Sequence, residues 1–234
     1  MIKMVLFDLD GTLLPMNQDE FVKAYFGGLG KKLAPHGYDV NQVVDAVMRG
    51  VNSMFKNDGS KTNEESFWNK FCELLGADVK QHMALFEEYY KNEFQNIKHM
   101  CGFNEKSKQV VEFVKEKGLR VALATSPLFP KIATESRICW AGLKPSDFEI
   151  YTTYENYSHC KPNLGYYKEV LENLKISPEE CLMVGNDVIE DMIAQELGMH
   201  VFLLKDCMIN KKELDISQYP QGDFDDLIEF ISSL

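Results

Sequence analysis

Two carboxylates, Asp8 and Asp10, close the apolar run MVLF in the stretch MVLFDLDGTLLP (4–15), and Gly11 and Thr12 follow at once. A charge at the end of a buried strand costs several kcal/mol unless it is paired, hydrogen-bonded or bound to a metal. Other apolar runs also end in polar residues: Thr125 and Ser126 after VALA, Asn186 and Asp187 after LMVG. Asp191 lies one helical turn beyond Asp187, a spacing that puts both carboxylates on one face of a helix start. Lys161, in HCKPN, precedes a helix that Pro162 and Asn163 would begin. Gathered together, these residues supply several acids, a hydroxyl and a lysine. The acids repel one another, and a hard divalent cation compensates them; Mg²⁺, with few protein oxygens and several waters, fits best. A cation, a lysine, a hydroxyl and free backbone N–H groups also form a receptor for a phosphoryl group.

Such residues meet when strands share a sheet, because ligands of open parallel sheets bind outside the carboxyl ends of the strands. Four short apolar runs recur, at 4–7, 120–125, 181–185 and 200–204, with a weaker one, FEIYTT, at 148–153. Helical apolar spacing precedes the last three of the four, as in Val110, Val111, Phe113 and Val114, or Tyr166, Tyr167, Val170, Leu171 and Leu174. Gly118 and Gly198 sit where helices would stop ahead of strands. Helices alternating with fully apolar strands predict an α/β fold with a parallel sheet covered on both faces. After Pro15 the rhythm breaks. Amphipathic stretches at 20–33, 40–55, 64–75 and 79–94 predict a helical bundle inserted between the first strand and the remainder. The expected division is a core of residues 1–15 and 99–234 and an inserted unit of 16–98. The tail closes with a predicted helix at 224–231.

Composition narrows the partners. The chain has 234 residues, 45% of them apolar, and a formal net charge of -11, which disfavours nucleic acid and membrane surfaces. Its six cysteines lie far apart with no zinc spacing, and reduced structural thiols are expected. No apolar run approaches the ~20 residues of a membrane span. Asp8 and Asp10 interrupt the only N-terminal apolar stretch, so no signal peptide is read and a cytoplasmic location is expected. The expected partner is a small phosphorylated metabolite, and the expected state a monomer or weak homodimer.

The DLDGTL motif, the hydroxyl residue ending a strand, the Lys-Pro pair and the final acids together resemble the haloacid dehalogenase superfamily, in particular its phosphatase-like members. All four motifs occur in order across a Rossmann-like core, and the helical insertion is similar to the family's C1-type α-helical cap domain. The resemblance implies that Asp8 is a nucleophile forming an aspartyl-phosphate. Asp10 would protonate the leaving alkoxide and then activate water. Thr125 would bind a phosphoryl oxygen, assisted by the backbone N–H of Ser126, and Lys161 would neutralise charge. Mg²⁺ would sit on the Asp8 carboxylate, the Asp10 main-chain carbonyl and an acid of the last motif. That motif, GNDVIED, departs from the usual Gly-Asp order. Asp187 preserves an Asp-x-x-x-Asp pair with Asp191 and is taken as the ligand; Asn186, by position, would instead supply a neutral amide and is kept as a lesser ligand.

The implied activity is a Mg²⁺-dependent phosphomonoester hydrolase. A β-phosphoglucomutase-like phosphotransferase shares the core acids, and a phosphate-sensing protein without turnover is the reading from another class. A dehalogenase is disfavoured because displacing halide from carbon has no use for Asp10. In the inserted helices, Arg49, Asn52 and Lys56 would bind a second anionic group if they faced the cleft, although a solvated face is the simpler expectation. Phe67, Trp68 and Phe71 read as bundle core. Asn17 and Phe21 follow the nucleophile loop with no role assigned, and His159 reads as structural.

Overall fold

Every residue of the first strand, Met4–Phe7 (β1), is buried, which requires cover on both faces of its sheet. The computed structural model describes residues 1–234. β1 lies inside a five-stranded, wholly parallel sheet with Arg120–Leu123 (β2), Cys181–Gly185 (β3), His200–Leu204 (β4) and Gln221–Gly222 (β5), in the order β2-β1-β3-β4-β5. In register, Phe7 stands beside Leu123 on one side and Val184 on the other. The chain therefore leaves three adjacent strands at one level, and Asp8, Thr125 and Asn186 share one edge.

Side chains alternate between the two faces as the two-residue strand period demands. Val5, Phe7, Leu123 and Val184 join one hydrophobic cluster, and Met4, Leu6, Ala122 and Met183 join the other. The second face is covered by helix α7 (Leu164–Leu174) and a 3-10 helix at Met192–Leu197. The first is covered by α5 (Glu105–Glu116), α6 (Lys131–Trp140) and α8 (Phe224–Ser233).

Between β1 and α5 lie four α-helices, α1 (Gln18–Leu33), α2 (Val40–Phe55), α3 (Asn63–Leu75) and α4 (Met83–Lys91). Their buried aromatic residues belong to the same cluster as the first sheet face. The two connections to this helical segment run side by side: Met16 bridges Cys101, and Gly102 N donates to Pro15 O at 2.6 Å. A second tie is Asn63, wholly buried, whose Nδ2 donates to His159 O at 3.2 Å.

Three expectations are corrected. The helix expected over 79–94 is broken into a 3-10 turn at Ala77–His82, α4, and a further 3-10 segment at Glu93–Met100. The break at Asn92 lets Phe94 stack on Trp140 of α6 at 5.1 Å between ring centroids, a contact that local periodicity does not encode. The weak strand over 148–153 makes a single bridge, Tyr151 with Leu123, before Thr152 turns inward to bond Thr125 O. No α-helix starts at Asp187; a tight turn and a 3-10 segment follow β3, so the shared helix face expected for Asp187 and Asp191 does not form.

Helix starts carry their caps. Asn17 accepts from Asp19 N and Glu20 N, so the residue left without a role is the cap of α1. Asp223 accepts from Asp225 N at 2.8 Å and Asp226 N at 3.1 Å, opening α8. Replacing Asp223 with Ala should cost about 1 kcal/mol. A urea titration should show a lower midpoint with an unchanged slope.

Candidate active site

Asp8 emerges directly from β1, its backbone N–H still bonded to Val184 O at 2.9 Å. Its Oδ1 accepts from Lys161 Nζ at 2.9 Å, and its Oδ2 faces Thr12 Oγ1 at 3.1 Å. The Thr12 hydroxyl is also 3.1 Å from Asn186 Oδ1, and its single proton serves one of these acceptors at a time. Gly11 makes the arrangement possible: its φ is +88°, and a Cβ there would fall 2.3 Å from Asn186 Nδ2.

Lys161 is 1% exposed and shared, giving a second hydrogen bond of 2.6 Å to Asp191 Oδ1. Burial pushes this lysine down, but the carboxylates of Asp191 and Asp8 outweigh it and hold it well above the usual range. Asp191 Oδ2 accepts from Asp187 N at 2.9 Å, which fixes the loop after β3. Thr125 and Ser126 follow β2. The Thr125 carbonyl accepts from the Tyr166 hydroxyl at 2.9 Å and from the Thr152 hydroxyl, so the turn that presents both hydroxyls is anchored from beneath.

Asp10 pairs through Oδ2 with Arg137, a fully buried arginine on α6 whose guanidinium lies 4.1 Å over the Phe129 ring. Burial raises the Asp10 carboxyl, the Arg137 charge opposes this, and the Asp8 charge adds to it; the net displacement is upward. Asp10 Oδ1 and Ser126 Oγ are buried without any hydrogen-bond partner. Orphaned polar atoms in a folded interior are rare, and at a cleft they mark where a ligand bonds.

All of Asp8, Asp10, Thr125, Ser126, Asn186, Asp187, Glu190 and Asp191 line one cavity of about 890 Å³. The sequence-predicted set is thus brought together, with Lys161 just behind it. The two candidates of the last motif separate here. Asn186 Oδ1 is one hydroxyl away from Asp8, whereas Asp187 Oδ1 is turned to cap Ile189 N at 2.7 Å and Glu190 N at 2.9 Å. The preference for Asp187 over Asn186 is not what this geometry favours. The three polar candidates of the inserted helices are not brought in: Arg49 pairs with Asp45 at 2.8 Å, Asn52 and Lys56 are exposed, and none of the three lines the cavity. His159 Nδ1 lies 3.0 Å from Glu169 Oε1, away from the acids. Phe71 is core as expected, but Phe67 and Trp68 also line the cavity. All six cysteines are unpaired.

Three contributors were not singled out from the sequence. Thr12 was visible only as a neighbour of the acids. Glu190 is pushed up to about 8, chiefly by burial; the Lys161 charge opposes the rise, and the charges of Asp191, Asp187 and Asp8 add to it. Arg137 had a signal: it falls among Ala133, Ile138 and Trp140 on the buried face of α6. An arginine inside an apolar stripe needs an acid partner.

Five carboxylates against two cations leave a surplus of negative charge at this edge. No three Asp, Glu, His or Cys side chains converge closely enough to enclose a cation on their own. Mg²⁺ keeps several waters and takes few protein ligands. The donor set fits: a carboxylate at Asp8, a carbonyl at Asp10 that now accepts from Gln18 Nε2 at 3.3 Å, and the amide oxygen of Asn186.

The family model described as haloacid dehalogenase-like hydrolase matches residues 5–204. A glyceraldehyde 3-phosphate phosphatase of Methanocaldococcus jannaschii is 26% identical over 238 residues, covering 100% of this chain and 99% of that protein. A pyrophosphatase PpaX of Bacillus thuringiensis is 26% identical over 201 residues, 84% of this chain and 80% of that one. Among solved structures, an HAD phosphatase from Thermococcus onnurineus covers 98% of each chain with a TM-score of 0.61 at 20% identity. The α/β core, its motif order and the match over residues 5–204 place this chain in the haloacid dehalogenase-like hydrolase family.

Proposed function

We propose that the protein is a Mg²⁺-dependent phosphomonoester hydrolase working through an aspartyl-phosphate on Asp8. The observation that carries this reading is the pair of acids at the cavity: Asp8 anchored by Lys161, and Asp10 two residues on with a buried oxygen lacking any partner. Two relatives bear phosphatase names, which supports phosphoryl transfer as the chemistry.

In this mechanism an Asp8 oxygen attacks phosphorus in line while Asp10 gives a proton to the departing alkoxide. Asp10 then takes a proton from the water that cleaves the acyl-phosphate. The Thr125 and Ser126 hydroxyls and the Ser126 N–H hold phosphoryl oxygens, and Lys161 offsets their charge from behind Asp8. The Asp8 carboxylate, the Asp10 carbonyl and Asn186 would hold Mg²⁺, with Asp187 acting through water. When bound, the ion neutralises charge on the phosphoryl oxygens. We further propose that residues 16–98 act as a cap hinged on the paired connections at Pro15–Gly102 and Met16–Cys101, closing to exclude water from the acyl-phosphate.

Hydrolysis of p-nitrophenyl phosphate tests the reading. Activity should be present with Mg²⁺, fall at least about a hundredfold in EDTA, and return when Mg²⁺ is restored. Full activity in EDTA would remove the metal from the proposal. No helix is long and apolar enough to cross a membrane.

A further inference from the structure

The cavity is far larger than a phosphoryl group, and most of its wall is apolar. Its volume of about 890 Å³ lies within the ~300–1,000 Å³ that holds a drug-sized ligand. Beyond the acids, the wall is built from Phe21, Tyr25, Phe67, Trp68, Phe86 and Phe129. At its mouth stand Val22, Met48, Phe55 and Met83, which are 37%, 56%, 41% and 42% exposed. Large apolar side chains left in water around a reaction centre are apolar surface awaiting a partner. A three-carbon leaving group would leave most of it uncovered.

Charge at the rim points the same way. Three exposed lysines line the cavity besides the site itself, and each stands beside a rim acid: Lys91 with Glu87 at 3.5 Å, Lys131 with Glu135 at 3.9 Å and Lys211 with Asp19 at 3.5 Å. Glu64 and Glu155 add two further acids to the lining, Glu155 accepting from Lys131 N at 2.8 Å. Lys161 is committed to Asp8 and Asp191, and Arg137 to Asp10. Asp19, Glu64, Glu87, Glu135 and Glu155 against Lys91, Lys131 and Lys211 leave the rim with net negative charge, which disfavours a second phosphate.

Resting on the phosphatase reading, we infer that the substrate is a monophosphate ester whose organic part is extended and apolar, carrying no second anionic group. The phosphoryl group takes the acid end, and the organic part lies along the aromatic wall between α1, α2 and α3. The inserted helices select by apolar contact and by the absence of an anion receptor.

The test is a series of n-alkyl monophosphates from propyl to octyl, assayed with Mg²⁺. Their alkoxide leaving groups are nearly equal in basicity, so differences in kcat/KM report contact with the wall rather than chemistry. Each methylene that becomes buried should raise kcat/KM about fourfold. Octane-1,8-diol bisphosphate should be at least tenfold poorer than octyl phosphate. Met48→Lys, at an exposed mouth position, should flatten the chain-length gradient and improve the bisphosphate relative to octyl phosphate. Hydrolysis of every ester with a flat gradient, or a bisphosphate equal to its mono-ester, overturns the inference and leaves the phosphatase reading intact. Calorimetry with the non-hydrolysable n-alkylphosphonates separates the opposite case. Kd falling with chain length without turnover of any ester would support the cavity assignment and sink the hydrolase. Kd independent of chain length would overturn the cavity assignment whatever the turnover.

Discussion

Replacing Asp8 with Asn is expected to lower phosphatase activity by about four to six orders of magnitude while the fold persists. Removing a covalent nucleophile has effects of this size because the remaining groups, however well placed, can no longer split one difficult step into two. The fold should persist because the amide is isosteric, β1 is unchanged, and Lys161 keeps its hydrogen bond of 2.6 Å to Asp191. Thr12 and Asn186 retain each other at 3.1 Å. Steady-state hydrolysis of p-nitrophenyl phosphate with Mg²⁺, beside circular dichroism of both proteins, reads both halves of the expectation. A variant that turned over at the wild-type rate would place the nucleophile elsewhere.

The second large effect lies in the Asp10–Arg137 pair. Arg137 has no exposure at all; apart from Asp10 its guanidinium group meets Ala133 O at 3.4 Å, Thr134 Oγ1 at 3.3 Å and the Phe129 ring. Asp10→Asn leaves that cation uncompensated in the interior, a loss of about 3–5 kcal/mol. It also removes the proposed general acid, worth about 10²–10⁴ in rate. Arg137→Met should cost less, about 1–3 kcal/mol, because the stranded carboxyl borders the cavity and can meet water. The double variant should be more stable than Asp10→Asn alone, since no unpaired charge remains. Urea midpoints of the four proteins in EDTA measure this coupling, expected near 2 kcal/mol. Additive losses would show that the pair is not an energetic unit.

These two expectations differ in how far each could be read before folding. Asp8 and Asp10 were legible because a fully apolar strand ending in acids is a local anomaly, and the strand runs at 4–7, 181–185 and 200–204 match β1, β3 and β4. The 40–55 helix was legible for the same reason: its apolar period is regular from the Asp39 cap to its end. The 79–94 helix was not, because aromatic contacts made with α6 override its own periodicity at Asn92. Arg137 was not singled out, because the burial of its stripe on α6 is decided by packing against other elements. The apolar wall was half-legible: Phe67, Trp68 and Phe71 were recognised as core, but a core residue and a cavity residue have the same sequence signature. Their distinction depends on what stands opposite.

The sequence by itself determined that a parallel sheet exists and that its carboxyl edge carries acids, hydroxyls and a lysine. Hydrophobic period and strand-end composition are local properties, written within a few residues. Tertiary structure decided which of those groups touch. Lys161 reaches Asp8 across 153 residues of chain, and Asn186 rather than Asp187 comes beside Thr12 because Gly11 permits the approach and the Asp187 carboxylate is consumed by its own turn. It also decided that Lys91, Lys131 and Lys211 each stand beside a rim acid. Such pairings depend on the relative placement of whole elements, and the free energy that sets this placement comes from packing between segments distant in the chain.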